Sequence, residues 1–141
     1  METAVRIPRL IGIGAAGAAA AAVVNAAIFG IGHAADVSYL VDGEAIELQH
    51  VVSFTLMSFA VGLVVAALFA RFRPASLRAL AVVGGIVGVV TMAMDFSVDS
   101  TAGAITLASM HLVTAAAYVR SLRVAATTPT VRAAHAQLAV A

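Results

Sequence analysis

The segment Arg71-Phe72-Arg73-Pro74-Ala75-Ser76-Leu77-Arg78 stands between two long apolar runs, and its reading decides the fold. It holds three arginines and no acid. Short arginine-bearing connections stay on the cytoplasmic side of a membrane, because such segments are not translocated. Pro74 predicts that a new helix opens here, since a proline in the first helical turn removes no intrahelical hydrogen bond.

Outward from this turn, the other arginines fall on the same side. Arg6 and Arg9 precede the first apolar run, and Arg120, Arg123 and Arg132 follow the last. Asp36, Asp42, Glu44 and Glu47 fill the gap between the first and second runs, and Asp95 and Asp99 the gap between the third and fourth. Only Glu2 falls among the arginines. The pattern predicts an all-α integral membrane four-helix bundle with both termini inside. A span needs about 20 apolar residues, which places spans at 9–31, 49–70, 77–96 and 102–121.

Composition agrees with this class. Hydrophobic residues make up 62% of the chain and charged residues 11%, outside the range of an ordinary soluble domain. In 141 residues the four spans leave no room for a second globular domain. Residues 1–123 are expected to form the membrane domain, and 124–141 a cytoplasmic tail with a short surface helix opened by Pro129 behind Thr128. Apolar character continues past the small residues Gly14 to Ala22 into Val23, Val24 and Ile28, so the first helix reads as a retained anchor and not a cleaved signal. Lysine is absent while Ala, Val, Gly and Arg abound. That reads as the codon bias of a GC-rich bacterial genome, and locates the chain in a bacterial cytoplasmic membrane as a multi-pass protein. Absence of cysteine excludes thiol–disulfide chemistry and thiolate metal sites. No basic stripe with interleaved aromatics occurs, so nucleic acid is not an expected partner. The lipid bilayer is.

The first outer loop reads differently from its surroundings. Asp42-Gly43 lies between the apolar runs Val37–Val41 and Glu44–Leu48, a β-hairpin signal because both turn residues need positive φ. The alternative is that Asp42 caps an early start of the second helix. Gly84 and Gly88 have the four-residue spacing that lets membrane helices approach closely, either within one bundle or across a homodimer.

Three stretches carry a resemblance: Ser53-Phe54-Thr55-Leu56, Arg71-Phe72-Arg73-Pro74 and Met110-His111-Leu112. Over about residues 9–122 the chain resembles a family of short, mainly actinobacterial four-helix integral membrane proteins without an assigned activity. The resemblance implies the fold and no catalytic residue. It draws attention to His111.

Ionisable groups inside a membrane are costly and are functional candidates by default. Counted from Arg120 at about 1.5 Å per residue, His111 falls some 13 Å up, near the midplane, sharing a face with Thr114 and Tyr118. It reads as a neutral histidine pinning helix register, or as a ligand-binding or proton-relay group. The same count places Asn25, Ser53 and Asp95 in a second layer at about 24–27 Å, beneath the outer loop. There Asn25, Ser53, Asp95 and His50, with His33 or Asp99, are expected to converge as nitrogen and oxygen donors, and His50, Asp95 and His33 are the candidates to hold a zinc, copper or manganese ion. No two histidines have the three- or four-residue spacing of metal-binding helices, and His50 lies about 18 Å above His111, too far for two axial haem ligands. No cofactor beyond that metal is expected. The outer acids make a negative mouth that concentrates cations.

The leading expectation is a non-enzymatic module that binds a small apolar or cationic ligand, or a partner helix, through its outer half. The second is a small proton-coupled transporter for a cationic substrate, with Asp95 or His111 exchanging protons. Small multidrug exporters have similar dimensions, but rely on a carboxylate in their first helix where this chain has Asn25, and tryptophan is absent. Catalysis finds no Cys, Lys or paired intramembrane carboxylate to build on.

Overall fold

A computed structural model describes residues 7–41, 43–73 and 75–127. Among them are four α-helices: α1 (Ile7–Ala34), α2 (Leu48–Phe72), α3 (Ser76–Thr91) and α4 (Thr101–Thr127). Between α1 and α2, strands β1 (Leu40–Val41) and β2 (Glu44–Ala45) pair antiparallel, with Leu40 opposite Ala45 and Val41 opposite Glu44. Helices α1, α2 and α4 are each long and apolar enough to cross a membrane. α3 has 16 residues and is extended by a 3-10 segment, Met92–Ser97.

Burial runs opposite to that of a water-soluble protein. Val23, Ile31, Phe72, Val90 and Ile105 are each at least 65% exposed, whereas Asn25, Thr55, Asp95 and Ser121 are buried. Large apolar side chains outside and polar groups inside suit a hydrocarbon surround, where polar atoms must find partners within the protein. The bundle is a membrane protein by this criterion.

α1 packs closely against α2 and α4, and α3 against α4, while α2 and α3 touch each other far less. Small residues permit the close pairs. A Cβ on Gly14 would strike Leu63, and one on Gly17 would strike Ser121. Two apolar cores result. One, near the helix ends that carry the arginines, contains Leu10, Phe59, Ala66, Ala70, Leu77, Ala81 and Leu122. The other, near β1 and β2, contains Phe29, Tyr39, Val51, Val98, Leu107 and Met110.

The helix ends differ from the sequence expectations in instructive ways. Asp36 adopts left-handed φ (56°), and Val37 and Asp36 donate their amide hydrogens to the carbonyls of Gly32 and His33. This double bond pattern closes the last turn of α1 with Asp36 in the place usually taken by glycine. α2 opens at Leu48 behind Glu47, so Asp42 does not cap it; Asp42 itself lies outside the described residues. The α-helical part of the third span ends at Thr91, not at 96, because its last turn tightens to 3-10 geometry. α4 is helical as far as Thr127, the last described residue, beyond the 121 expected for the fourth span. The tail helix expected after Thr128 lies outside the described residues.

Candidate functional site

Between the two apolar cores lies a polar layer built from one residue or two per helix. Asn25 of α1 is 1% exposed, and its Nδ2 donates to Thr55 Oγ1 of α2 (3.0 Å) and Thr114 Oγ1 of α4 (2.9 Å). Each threonine hydroxyl donates its own hydrogen to its helix, Thr55 to the Val51 carbonyl and Thr114 to the Met110 carbonyl. With those hydrogens committed, both hydroxyl oxygens can only accept, which fixes the amide with its NH2 towards them. Asn25 Oδ1 is then left buried without a hydrogen-bond partner.

One turn along α4 from Thr114, His111 faces Asp95 of the 3-10 segment. His111 Nδ1 lies 2.9 Å from Asp95 Oδ2 and 3.3 Å from the Leu107 carbonyl. Both neighbours are acceptors, so Nδ1 must carry the proton. The Asp95 contact is close but poorly directed for a hydrogen bond, and Oδ2 is buried with no other partner. The Asp95 side chain is 8% exposed, that of His111 41%.

These groups open onto a cavity of about 830 Å³ in the gap between α2 and α3. His50, Phe54, Thr55 and Ser58 line it from α2, Thr91 and Asp95 from the third span, and Leu107, Met110, His111 and Thr114 from α4. Val41, Glu44, Ala45 and Ile46 border it on the β1–β2 side. On the opposite side the gap is filled by Tyr118, whose hydroxyl donates to the Gly62 carbonyl (2.9 Å) and whose ring meets Phe59 edge-on. A Cβ on either Gly62 or Gly84 would collide with that ring, and one on Gly88 with Ala115. Gly84 and Gly88 therefore serve contacts with α4 inside the chain.

Of the residues singled out from sequence, Asn25, Asp95, His111 and Thr114 converge here. Ser53 does not: it is exposed on α2 and does not line the cavity. The buried face of α2 runs through Val51, Thr55, Phe59, Ala66 and Ala70, and Ser53 is two residues off it, about 200° around the helix. Thr55 holds the place assigned to Ser53, and the spacing from Val51 and Phe59 was the signal for it. The separation of His111 and Asp95 into two layers is also corrected. Their side chains meet at 2.9 Å, so the two residues share one level.

The metal expectation fails on geometry. Among the described residues no three His, Asp or Glu side chains stand together as a metal site. His33 stacks on Phe29 at the end of α1 and does not line the cavity. His50 does line it, but its Nδ1 accepts the Glu47 amide hydrogen (3.1 Å) at the start of α2.

The fold and the polar layer define a small helical membrane protein with an internal, laterally placed cavity. The chain belongs to DUF6069, a family of unknown function, which matches residues 5–140 and so includes the tail as well as the bundle. No curated protein and no solved structure matches it.

Proposed function

We propose that this chain is a non-enzymatic, multi-pass protein of the bacterial cytoplasmic membrane, with both termini inside, that binds a small amphipathic ligand between α2 and α3. One observation carries the reading. Asn25 Oδ1 is buried beside an apolar-walled cavity without a hydrogen-bond partner, and Asp95 Oδ2, equally buried there, has only the poorly directed contact with His111 Nδ1 at 2.9 Å. Buried acceptors left unpaired are costly, and a ligand that supplies hydrogens to them would recover that cost. The β1–β2 ribbon would serve as the lid of the site.

The test is native mass spectrometry of the protein released gently from its own membrane. A reproducible bound mass is expected, weakened in Asn25→Ala and Asp95→Asn. A homogeneous, ligand-free bundle in every preparation would refute the reading.

A second reading, a proton-coupled transporter for a cationic substrate, draws on the Asp95–His111 pair inside a membrane span. It requires substrate-dependent proton flux in proteoliposomes that Asp95→Asn abolishes. The Tyr118 plug beneath the cavity weighs against it, since a continuous path would have to displace that ring.

A further inference from the structure

We infer that the ligand is a lipid-soluble primary amine, admitted sideways from the bilayer through the gap between α2 and α3. This rests on the binding reading above and narrows it to one chemistry and one route.

The route follows from what is closed. Towards the arginine-bearing helix ends, Tyr118 is wedged between Gly62 and Gly84 and held by its hydroxyl to the Gly62 carbonyl. Towards the other end the β1–β2 ribbon forms a roof that is tied down along β1 to residues 98–100. Val41 bridges to Val98, Asp99 donates its amide to the Leu40 carbonyl (3.0 Å), and Ser100 Oγ donates to the Ser38 carbonyl (2.7 Å). α1 and α4, tightly packed on one another, form the back wall. The side between α2 and α3 is left, where Phe54 is 61% exposed and Ser58 is exposed too. That side faces lipid if the helices span a bilayer, so a ligand would arrive from the hydrocarbon phase.

The chemistry follows from what the wall offers. The hydroxyls of Thr55, Ser58, Thr91 and Thr114 all donate to carbonyls of their own helices (Val51, Phe54, Gly88 and Met110). They present lone pairs, not hydrogens. Asn25 Oδ1 and Asp95 Oδ2 are acceptors, and no arginine lines the cavity. His111 spends its Nδ1 hydrogen between Asp95 and Leu107, so its Nε2 in the neutral ring is a further acceptor. At the rim His50 Nε2 supplies a donor, since its Nδ1 accepts from the Glu47 amide.

A carbonyl ligand or an anion would meet acceptors at the centre of such a wall. A protonated primary amine brings three hydrogens and a positive charge to Asp95, whose Oδ2 has only the poorly directed contact with His111 Nδ1. Asn25 is bonded to Thr114, and Asp95 touches His111, one turn along the same helix. Thr114 and His111, the α4 residues they touch, are three apart on one face, where Cβ atoms lie about 5–6 Å apart. An ammonium group held at this level would stand close to both. The apolar body of the ligand would lie along Phe54, Leu107 and Met110.

Probes of equal chain length test the headgroup. The full chain in detergent is incubated with hexadecylamine, hexadecanol, hexadecanoate, hexadecyltrimethylammonium and phosphatidylethanolamine, and retention is read by native mass spectrometry. Hexadecylamine is expected to outlast the alcohol and the trimethylammonium on the order of tenfold, because only it combines charge with N–H donors. Asp95→Asn should remove that preference with the helical content unchanged. Hexadecanol held as well as hexadecylamine would overturn the amine while leaving a binding cavity. Phosphatidylethanolamine ends in the same primary ammonium, so its retention in preference would support the amine and assign its source to a lipid headgroup. Retention of none of the probes would overturn both readings. For the route, exchange of hexadecylamine is timed in nanodiscs. Ser58→Trp should slow exchange severalfold and Ser53→Trp, outside the cavity, should not; equal rates in the two variants would overturn lateral admission.

Discussion

The Tyr118 hydroxyl bonds the Gly62 carbonyl of a different helix at 2.9 Å, and the same ring occupies the space that a Cβ on Gly84 would need. One side chain of α4 thereby sets how far α2 and α3 stand apart. Tyr118→Phe keeps the wedge and loses one hydrogen bond, so it is expected to cost no more than about 1 kcal/mol. Gly84→Val pushes against the ring and should cost roughly 1–3 kcal/mol, as overpacking does. Unfolding in a denaturing detergent, followed by circular dichroism, measures both. A Gly84→Val protein as stable as the parent would show that Tyr118 is not confined there.

Asn25 ties three helices with one amide. Asn25→Ala deletes two interhelical bonds and is expected to destabilise the bundle by about 1–2 kcal/mol, given the modest worth of such bonds in membranes. Asn25→Asp should do more harm than alanine. A carboxylate has no hydrogens for Thr55 and Thr114, whose own are already committed to backbone carbonyls. If the aspartate variant proved the more stable of the two, the direction assigned to these bonds would be wrong.

Much of the architecture was legible because apolar runs of span length and the residues between them are written linearly along the chain. The four helices appear within a few residues of their expected places, save α4. What could not be read was lateral: which side chains meet. A depth count from Arg120 placed His111 a layer below Asp95, because counting along each helix separately does not show how the helices are shifted against one another. Depth alone also favoured Ser53 over Thr55, two residues apart but on opposite faces of α2. Tyr118 carries no motif, and its role depends on Gly62 and Gly84, glycines from two other helices.

The α2 face gives a direct contrast. Thr55→Val keeps the shape of the side chain and removes the acceptor for Asn25, and a loss of roughly 1 kcal/mol is expected. Ser53→Ala touches an exposed position and should stay within about 0.5 kcal/mol of the parent. Equal effects would mean that α2 is rotated relative to the arrangement described.

The two cavity histidines should differ in tautomer. His111 Nδ1 faces the Asp95 carboxylate and the Leu107 carbonyl, so its neutral ring carries hydrogen on Nδ1 and leaves Nε2 bare towards the cavity. His50 Nδ1 instead accepts the Glu47 amide hydrogen, so its neutral ring carries hydrogen on Nε2. Nitrogen-15 spectra of protein labelled at histidine distinguish the two forms, and single His50→Gln and His111→Gln variants assign the signals. Asp95→Leu should leave His111 in its Nδ1–H form, because the Leu107 carbonyl still needs that hydrogen. A neutral His111 protonated on Nε2 would place its ring the other way round. The wall of the cavity would then present a donor at its centre, and a carbonyl-bearing ligand would fit it better than an amine.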